Sequence, residues 1–211
     1  MIRGFSLPRN RRPETPLSSE APFDQAKWEQ RYRDADRPGA PARVLVEFQH
    51  LLPTRGVALD LAAGLGGNAL LLAERGLEAH AWDISPVAME RLRGFAAERG
   101  LAVAAEVRDA VREPPEAGCF DVIVVSRFLE RSLAPALIAA LRPGGLLYYQ
   151  TFSRARVDDT GPKNPAYRLD DNELISLFRP LTLRAYREEG LLGDLERGLR
   201  NEAWLVGQRP S

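Results

Sequence analysis

Between residues 57 and 152 the chain repeats one unit, a short apolar run, a polar or glycine turn and then a stretch with helical spacing. Val57-Ala58-Leu59-Asp60 is followed by a glycine turn and a helical stretch over 68–75 that stops at Gly76. Residues 78–82 read as a strand closed by Asp83. The helix that follows, 86–99, has Pro86 in its first turn and Gly100 after its end. Strands at 101–107 and 120–125, a helix at 133–141 stopped by Pro143-Gly144-Gly145, and a strand at 146–152 complete the series. Strands alternating with helices are joined by crossovers rather than hairpins, which builds a parallel sheet covered on both sides. After Phe152 the rhythm breaks. A polar stretch at 153–168 leads to a helix at 170–178 and then to two strand-like segments, 181–188 and 201–206, with no helix between them. Consecutive strands without a crossover run antiparallel. The expected fold is therefore α/β, a doubly wound Rossmann-like sheet of seven strands, mostly parallel, with an antiparallel C-terminal strand and helices on both faces.

The flanks divide the chain further. Residues 1–22 carry Pro8, Pro13, Pro16 and Pro22 with scattered arginines and no periodicity, as expected of a flexible leader. Residues 23–211 read as a single domain. Within it, 23–53 form N-terminal helices that act as a lid, 54–152 the ligand-binding core, and 153–211 a substrate-side loop and C-terminal strands. The lid helices are expected from Asp24 through Trp28 and Tyr32, and over 42–52 before Pro53.

Composition narrows the functional classes. Acids and bases number 29 each, and only Lys27 and Lys163 among the bases are lysine. Zero net charge and arginines interspersed with acids give no field that draws in nucleic acid or a membrane surface. No run approaches the roughly 18 apolar residues of a membrane helix. Cys119 is the one cysteine, and His50 and His80 the two histidines, so neither a disulfide nor a cysteine- or histidine-built metal site is expected. A cytoplasmic enzyme, monomer or homodimer, acting on a small molecule is the expectation.

In a doubly wound sheet, ligands settle at the carboxyl ends of the strands. Asp60 closes the first strand, Asp83 the second, Asp109 lies just past the third, and Ser126 and Arg127 follow the fourth. Gly64 and Gly66 sit between the first strand and its helix, where a missing side chain lets a ligand approach the backbone. A carboxylate at the end of the second strand suits a ribose diol, and Asp109 an exocyclic adenine amine. The spacing points to an adenosine-type ligand and leaves a dinucleotide open. The turn has Ala69 where a dinucleotide fingerprint places its third glycine or an alanine, and the antiparallel ending is unlike that fold.

The stretch Val57-Ala58-Leu59-Asp60-Leu61-Ala62-Ala63-Gly64-Leu65-Gly66-Gly67-Asn68 resembles the first motif of class I S-adenosylmethionine-dependent methyltransferases, commonly D-L-G-C-G-x-G. Ala81-Trp82-Asp83 looks like their second motif, and Phe120-Asp121-Val122-Ile123-Val124-Val125 and Leu141-Arg142-Pro143-Gly144-Gly145 like later ones. The Asn68-Ala69-Leu70-Leu71-Leu72-Ala73 stretch, the Ala81-Trp82-Asp83 triplet, Trp28 and Tyr32, and Tyr186-Arg187-Glu188-Glu189 are similar to the tellurite-resistance, TehB-like group. Two positions depart: Ala62 replaces the usual glycine and Ala63 the usual cysteine. A methyl group at Ala62 would crowd the methionine end of the cofactor.

The resemblance implies S-adenosylmethionine as cofactor and S-adenosylhomocysteine as product. It implies cofactor contacts at Asp60, Ala62, Gly64, Gly66, Asn68, Asp83, Ile84, Asp109, Ala110 and Ser126. Transfer to a soft nucleophile, such as a thiol or a selenium or tellurium oxyanion, needs no strong protein base, and no catalytic residue stands out. Trp28, Tyr32, Arg127, Arg131 and Thr151 are the candidates for the acceptor pocket. Arg127 and Arg131 have an alternative as surface arginines at a helix start, pairing with Glu130 or solvent, and Trp28 and Tyr32 as plain core packing. A non-catalytic S-adenosylmethionine-binding protein and an NAD-linked oxidoreductase remain alternatives.

Overall fold

A computed structural model describes residues 29–30 and 32–211, so the leader and Trp28 lie outside the described residues. Residues 29, 30, 32 and 33 are helical. The second N-terminal helix is shorter than its apolar spacing suggests. It runs as α1 over Arg43–Glu47, followed by a 3-10 turn at Gln49–Leu51, with Val44 and Leu45 buried and Leu51 exposed.

The core follows as β1 (Val57–Leu61), α2 (Gly67–Glu74), β2 (Glu78–Asp83), α3 (Pro86–Glu98), β3 (Val103–Val107) and β4 (Phe120–Ser126). After it come α4 (Ala134–Ala140), β5 (Leu141–Phe152), α5 (Glu173–Leu177), β6 (Thr182–Arg187) and β7 (Glu202–Gln208). The seven strands form one sheet in the order β3-β2-β1-β4-β5-β7-β6. The pairings among β1 to β5 are parallel, and β7 is antiparallel to both β5 and β6. This is the expected sheet, with one detail the sequence did not reveal: the last strand inserts between β5 and β6. The insertion sets the sheet apart from the six-stranded 3-2-1-4-5-6 order of dinucleotide enzymes.

One segment differs from its sequence-based boundary for a local reason. Pro143-Gly144-Gly145 does not separate helix from strand; β5 begins at Leu141 and the register jumps from Phe120↔Leu141 to Val122↔Leu146. The turn is thus absorbed as an irregularity at the start of the strand. The connection from β3 to β4 contains Pro114 and Pro115 and forms no helix.

One face of the sheet, bearing Leu59, Leu61, Ile123, Val125, Leu147 and Tyr149, packs on α4 and the α5 region. The opposite face, with Ala58, Val122, Val124 and Tyr148, packs on α1 and α2, and α3 extends that layer over β2 and β3. Burying both faces explains why β4 reads as an unbroken apolar run rather than an alternating one. Among the described residues no helix is long and apolar enough to cross a membrane.

Candidate functional site at the strand ends

The helices that follow β1 and β2 start where polar side chains collect their free N–H groups. Asp60 Oδ2 accepts the Ala69 N–H in the first turn of α2 at 3.1 Å, although Asp60 lies on β1. Its Oδ1 accepts from Asn68 Nδ2 at 3.0 Å. Ser85 caps α3, its Oγ accepting the Ala88 N–H at 3.2 Å with Pro86 next in line. A carboxylate at a helix N-terminus meets both unsatisfied donors and the positive end of the helix dipole.

Asp60 has no exposed surface. Burial pushes its carboxyl up to about 7, with the Asn68 and Ala69 hydrogen bonds opposing the shift and the nearby Asp83 adding to it. Asp60 therefore acts on the turn and on α2, through its two hydrogen-bond donors. Asn68 is the joint between elements: it also donates to Ser126 Oγ at 3.2 Å and accepts the Ala42 N–H at 2.7 Å.

The turn between β1 and α2 alternates its handedness. Ala62, Gly64 and Gly66 have φ of 56°, 52° and 73°. Such alternation curls backbone N–H groups into a concave nest. Ala62 is the position where the family motif has glycine, and it adopts the backbone conformation that favours glycine, at a cost of about 1 kcal/mol for a residue with a Cβ. The Gly64 N–H donates to Asp83 Oδ2 at 2.8 Å, tying the turn to the end of β2. A Cβ on Gly67 would come 2.2 Å from the Gly39 carbonyl oxygen, so the 39–42 segment lies on the start of α2 at a distance only glycine permits. Tyr32 comes over the same turn: a Cβ on Gly64 would lie 3.2 Å from its hydroxyl.

Asp83 is 8% exposed, and its Oδ1 accepts the Ser85 N–H at 2.9 Å. Burial raises its carboxyl, opposed by backbone hydrogen bonds from Ser85, Gly64 and Ile84. Ile84 beside it is half-buried. Asp109 caps its own turn, Oδ1 accepting the Val111 N–H at 3.0 Å, and pairs with Arg112 at 3.5 Å. Ala110 is buried in the same apolar cluster as Trp82 and Leu129.

On the other side, past β4 and β5, the candidates separate. Arg127 has φ of 55° and an exposed side chain whose Nε lies 3.4 Å from Glu202 Oε1. Arg131 is committed elsewhere: it grips both carboxylate oxygens of Glu173, at 2.5 and 3.0 Å, and donates to the Ala166 and Arg168 carbonyls. That fork staples the segment before α5 to the turn after β4. Its partner is Glu173 rather than the adjacent Glu130, which accepts from Ser132. Thr151 is 1% exposed, on the face of β5 that packs against α4 and α5, and its buried hydroxyl has no hydrogen-bond partner among the described residues. Two concavities, of about 290 and 470 Å³, open beside α5 and β6 and beneath α3 and β3, and neither touches the glycine turn.

Two residues behind Arg127, Gln150 and Glu202, carry no motif. Gln150 is 2% exposed; its Oε1 accepts the Val44 N–H at 2.9 Å and its Nε2 donates to Glu202 Oε2 at 2.5 Å. A glutamine inside an otherwise apolar strand is the one signal that marked it, because a buried amide needs partners.

The strand order and the glycine turn between β1 and α2 define a Rossmann-like fold of the methyltransferase type. The chain belongs to the methyltransferase domain family, whose pattern matches residues 29–189. It is 29% identical over 150 residues to a 2-heptyl-1-hydroxyquinolin-4(1H)-one methyltransferase of Mycobacteroides abscessus, a match that covers 66% of each chain. It is 28% identical to a ubiquinone biosynthesis O-methyltransferase of Xanthomonas axonopodis pv. citri, over 81% of this chain and 74% of the relative. Among solved structures, one from work on the conversion of a disulfide bond into a thioacetal group during echinomycin biosynthesis superposes with a TM-score of 0.66. It is 26% identical and covers 88% of this chain and 92% of its own. TehB from Haemophilus influenzae shares the fold, with a TM-score of 0.61, 22% identity, and coverage of 79% of this chain and 61% of its own. The match spans about two thirds of the first relative's length. Family membership replaces the NAD-linked alternative.

Proposed function

We propose that the chain transfers a methyl group, by in-line displacement, to a small soft nucleophile that ionises without a strong protein base, a thiol or a selenium or tellurium oxyanion. The observation that carries this is the chemistry of the strand ends. Asp60 is fully buried, Asp83 is held by backbone N–H groups, and Asp109 caps its own turn. His50 lies in the 3-10 turn and His80 within β2 beside Glu78 and Glu106, so neither stands at the strand ends. Arg127, in contrast, presents a cation at the end of β4. A site with a cation and no ready base suits an anion better than a neutral group that must first lose a proton.

The residues present fit the cofactor. A carboxylate offers about four acceptor positions, and the backbone donors to Asp83 leave room for a ribose hydroxyl. The turn at 62–66 gives a backbone approach, Ala110 and Trp82 an apolar cluster, and Asp109 and Ser126 polar edges. When bound, S-adenosylmethionine supplies a methyl carbon whose bond to the sulfonium breaks as the acceptor's lone pair bonds to it, the broken bond's electrons leaving on the sulfur of S-adenosylhomocysteine. The chain's own residues bind and orient: Asp60 and Asn68 fix the turn, and Tyr32 and the 39–42 segment cover it. Arg127 draws the acceptor to the end of β4. In-line placement of this kind is the main contribution open to a site with no ready base among the described residues.

A hydroxyl acceptor is the second reading, favoured by the two curated relatives, which are named for a hydroxyquinolone methyltransferase and an O-methyltransferase. An acidic hydroxyl likewise ionises without a strong protein base. Incubation with S-adenosylmethionine and a panel of thiols, selenite, tellurite and acidic phenols, followed by S-adenosylhomocysteine release, decides between them. The first reading expects turnover of the sulfur, selenium or tellurium members; turnover of phenols alone replaces it with the second. Binding of S-adenosylhomocysteine without turnover of any member points to the non-catalytic alternative. Loss of that binding on Asp83→Ala is expected, and unchanged affinity contradicts the cofactor assignment.

A further inference from the structure

We propose that Arg127, Gln150 and Glu202 form a relay that recognises a negatively charged group on the acceptor, with Glu202 the residue that positions Arg127. The inference rests on the methyltransferase reading above and adds the acceptor's charge and the residue that orients its counter-charge.

Four observations converge. Arg127 is a non-glycine residue with a left-handed φ of 55°, its N–H held by the Gln150 carbonyl at 2.8 Å. Backbone strain of this kind persists where surrounding structure enforces it. Of its guanidinium donors, only Nε is engaged among the described residues, at 3.4 Å from Glu202. A charge-assisted contact at full strength is closer to 2.8 Å, so the guanidinium keeps donor capacity facing outward. Its side chain is 68% exposed whereas that of Glu202 is 11% exposed, so the pair has one buried and one open end. Glu202 is itself fixed, because Gln150 Nε2 donates to its second oxygen at 2.5 Å while the other end of Gln150 holds the Val44 N–H of α1.

The relay thus runs from α1 through two buried side chains to one exposed cation. A mostly buried carboxylate with a single, loose cationic partner is expensive to keep for stability alone. It is well suited to hold a guanidinium in one place and yield it to a competing anion. The ligand class is an acceptor bearing a carboxylate or other oxyanion, or a thiolate.

Two thiols that differ in charge test this: mercaptoacetate, which carries a carboxylate, and 2-mercaptoethanol, which does not. Arg127→Ala is expected to raise KM for mercaptoacetate about tenfold and to change that for 2-mercaptoethanol by less than about twofold. Glu202→Gln is expected to lower kcat for mercaptoacetate about tenfold without raising KM, because the cation is freed but misplaced. Glu202→Asp should recover part of the loss, and S-adenosylhomocysteine affinity by calorimetry should match the parent in all three. Equal losses for both thiols, or a parallel loss of S-adenosylhomocysteine binding, overturn the relay in favour of a structural ion pair. A readout independent of turnover is the Arg127 Nε–H resonance of the S-adenosylhomocysteine-loaded protein, assigned with Arg127→Lys. Mercaptoacetate should shift it in the parent, and Glu202→Gln should displace it before any thiol is added. A resonance that ignores both overturns the relay even if methyl transfer is found. A resonance that responds while neither thiol is methylated upholds the relay and removes the thiol reading.

Discussion

The glycine turn at 62–66 and the surroundings of Arg127 both lie at carboxyl ends of parallel strands, yet they are held by contacts of different reach. Around the turn the two carboxylates meet near neighbours, Asp60 with Asn68 and Ala69 eight and nine residues on and Asp83 with Ser85 two residues on, while Gly64 reaches Asp83 across 19 residues and Asn68 reaches Ala42 and Ser126 across 26 and 58. Around Arg127 they are distant: 75 residues to Glu202, 52 from Gln150 to Glu202, and 106 from Val44 to Gln150. Local contacts form with little loop-closure cost and recur as motifs, whereas distant ones exist only once the sheet has assembled. The proposed cofactor end is therefore expected to be the more self-contained, and the proposed acceptor end the more dependent on the rest of the fold.

Asn68 is where the two meet, and it gives the largest expected effect. Asn68→Ala leaves Asp60 Oδ1, Ser126 and the Ala42 N–H without this partner in a buried setting. A loss of about 2–4 kcal/mol in chemical denaturation is expected, together with weaker S-adenosylhomocysteine binding. A loss under about 1 kcal/mol would mean that the two ends are not coupled through this amide.

The next effect concerns Asp60 alone. Its native carboxyl is pushed up to about 7 from an ordinary value of 3.8. Between those values the folded chain holds a proton that the unfolded chain has released, so stability falls as pH rises across that window and levels off above it. Asp83 shifts in the same direction, so the test is the difference between parent and Asp60→Asn. The parent should lose stability relative to the variant by up to about 1.4 kcal/mol per pH unit across the window, in urea melts at matched ionic strength. Parallel pH profiles would show that Asp60 is charged when buried, with its two donors outweighing desolvation.

The smallest effect sharpens the cofactor end itself. Ala62→Gly relieves the left-handed strain but gains freedom in the unfolded chain, for a net change of no more than about 1 kcal/mol in stability. The more informative readout is S-adenosylhomocysteine affinity. It rises if the Ala62 methyl crowds the methionine end, and stays unchanged if the methyl points away.

The alternating rhythm of strands and helices, the glycine turn, Asp60, Asp83 and the helix start at Pro86 were all legible in the sequence by itself. So was the antiparallel ending, from two strands with no crossover between them. Each depends on short-range rules: periodicity, caps, and turn conformations that only certain residues adopt. The tertiary structure alone decided that β7 enters between β5 and β6, that Arg131 serves Glu173, and that Thr151 is enclosed. It also decided that Gln150 and Glu202 stand behind Arg127. Side chains that carry no motif gain a role only from partners that folding brings to them, and one sequence does not encode that partnership in any local pattern.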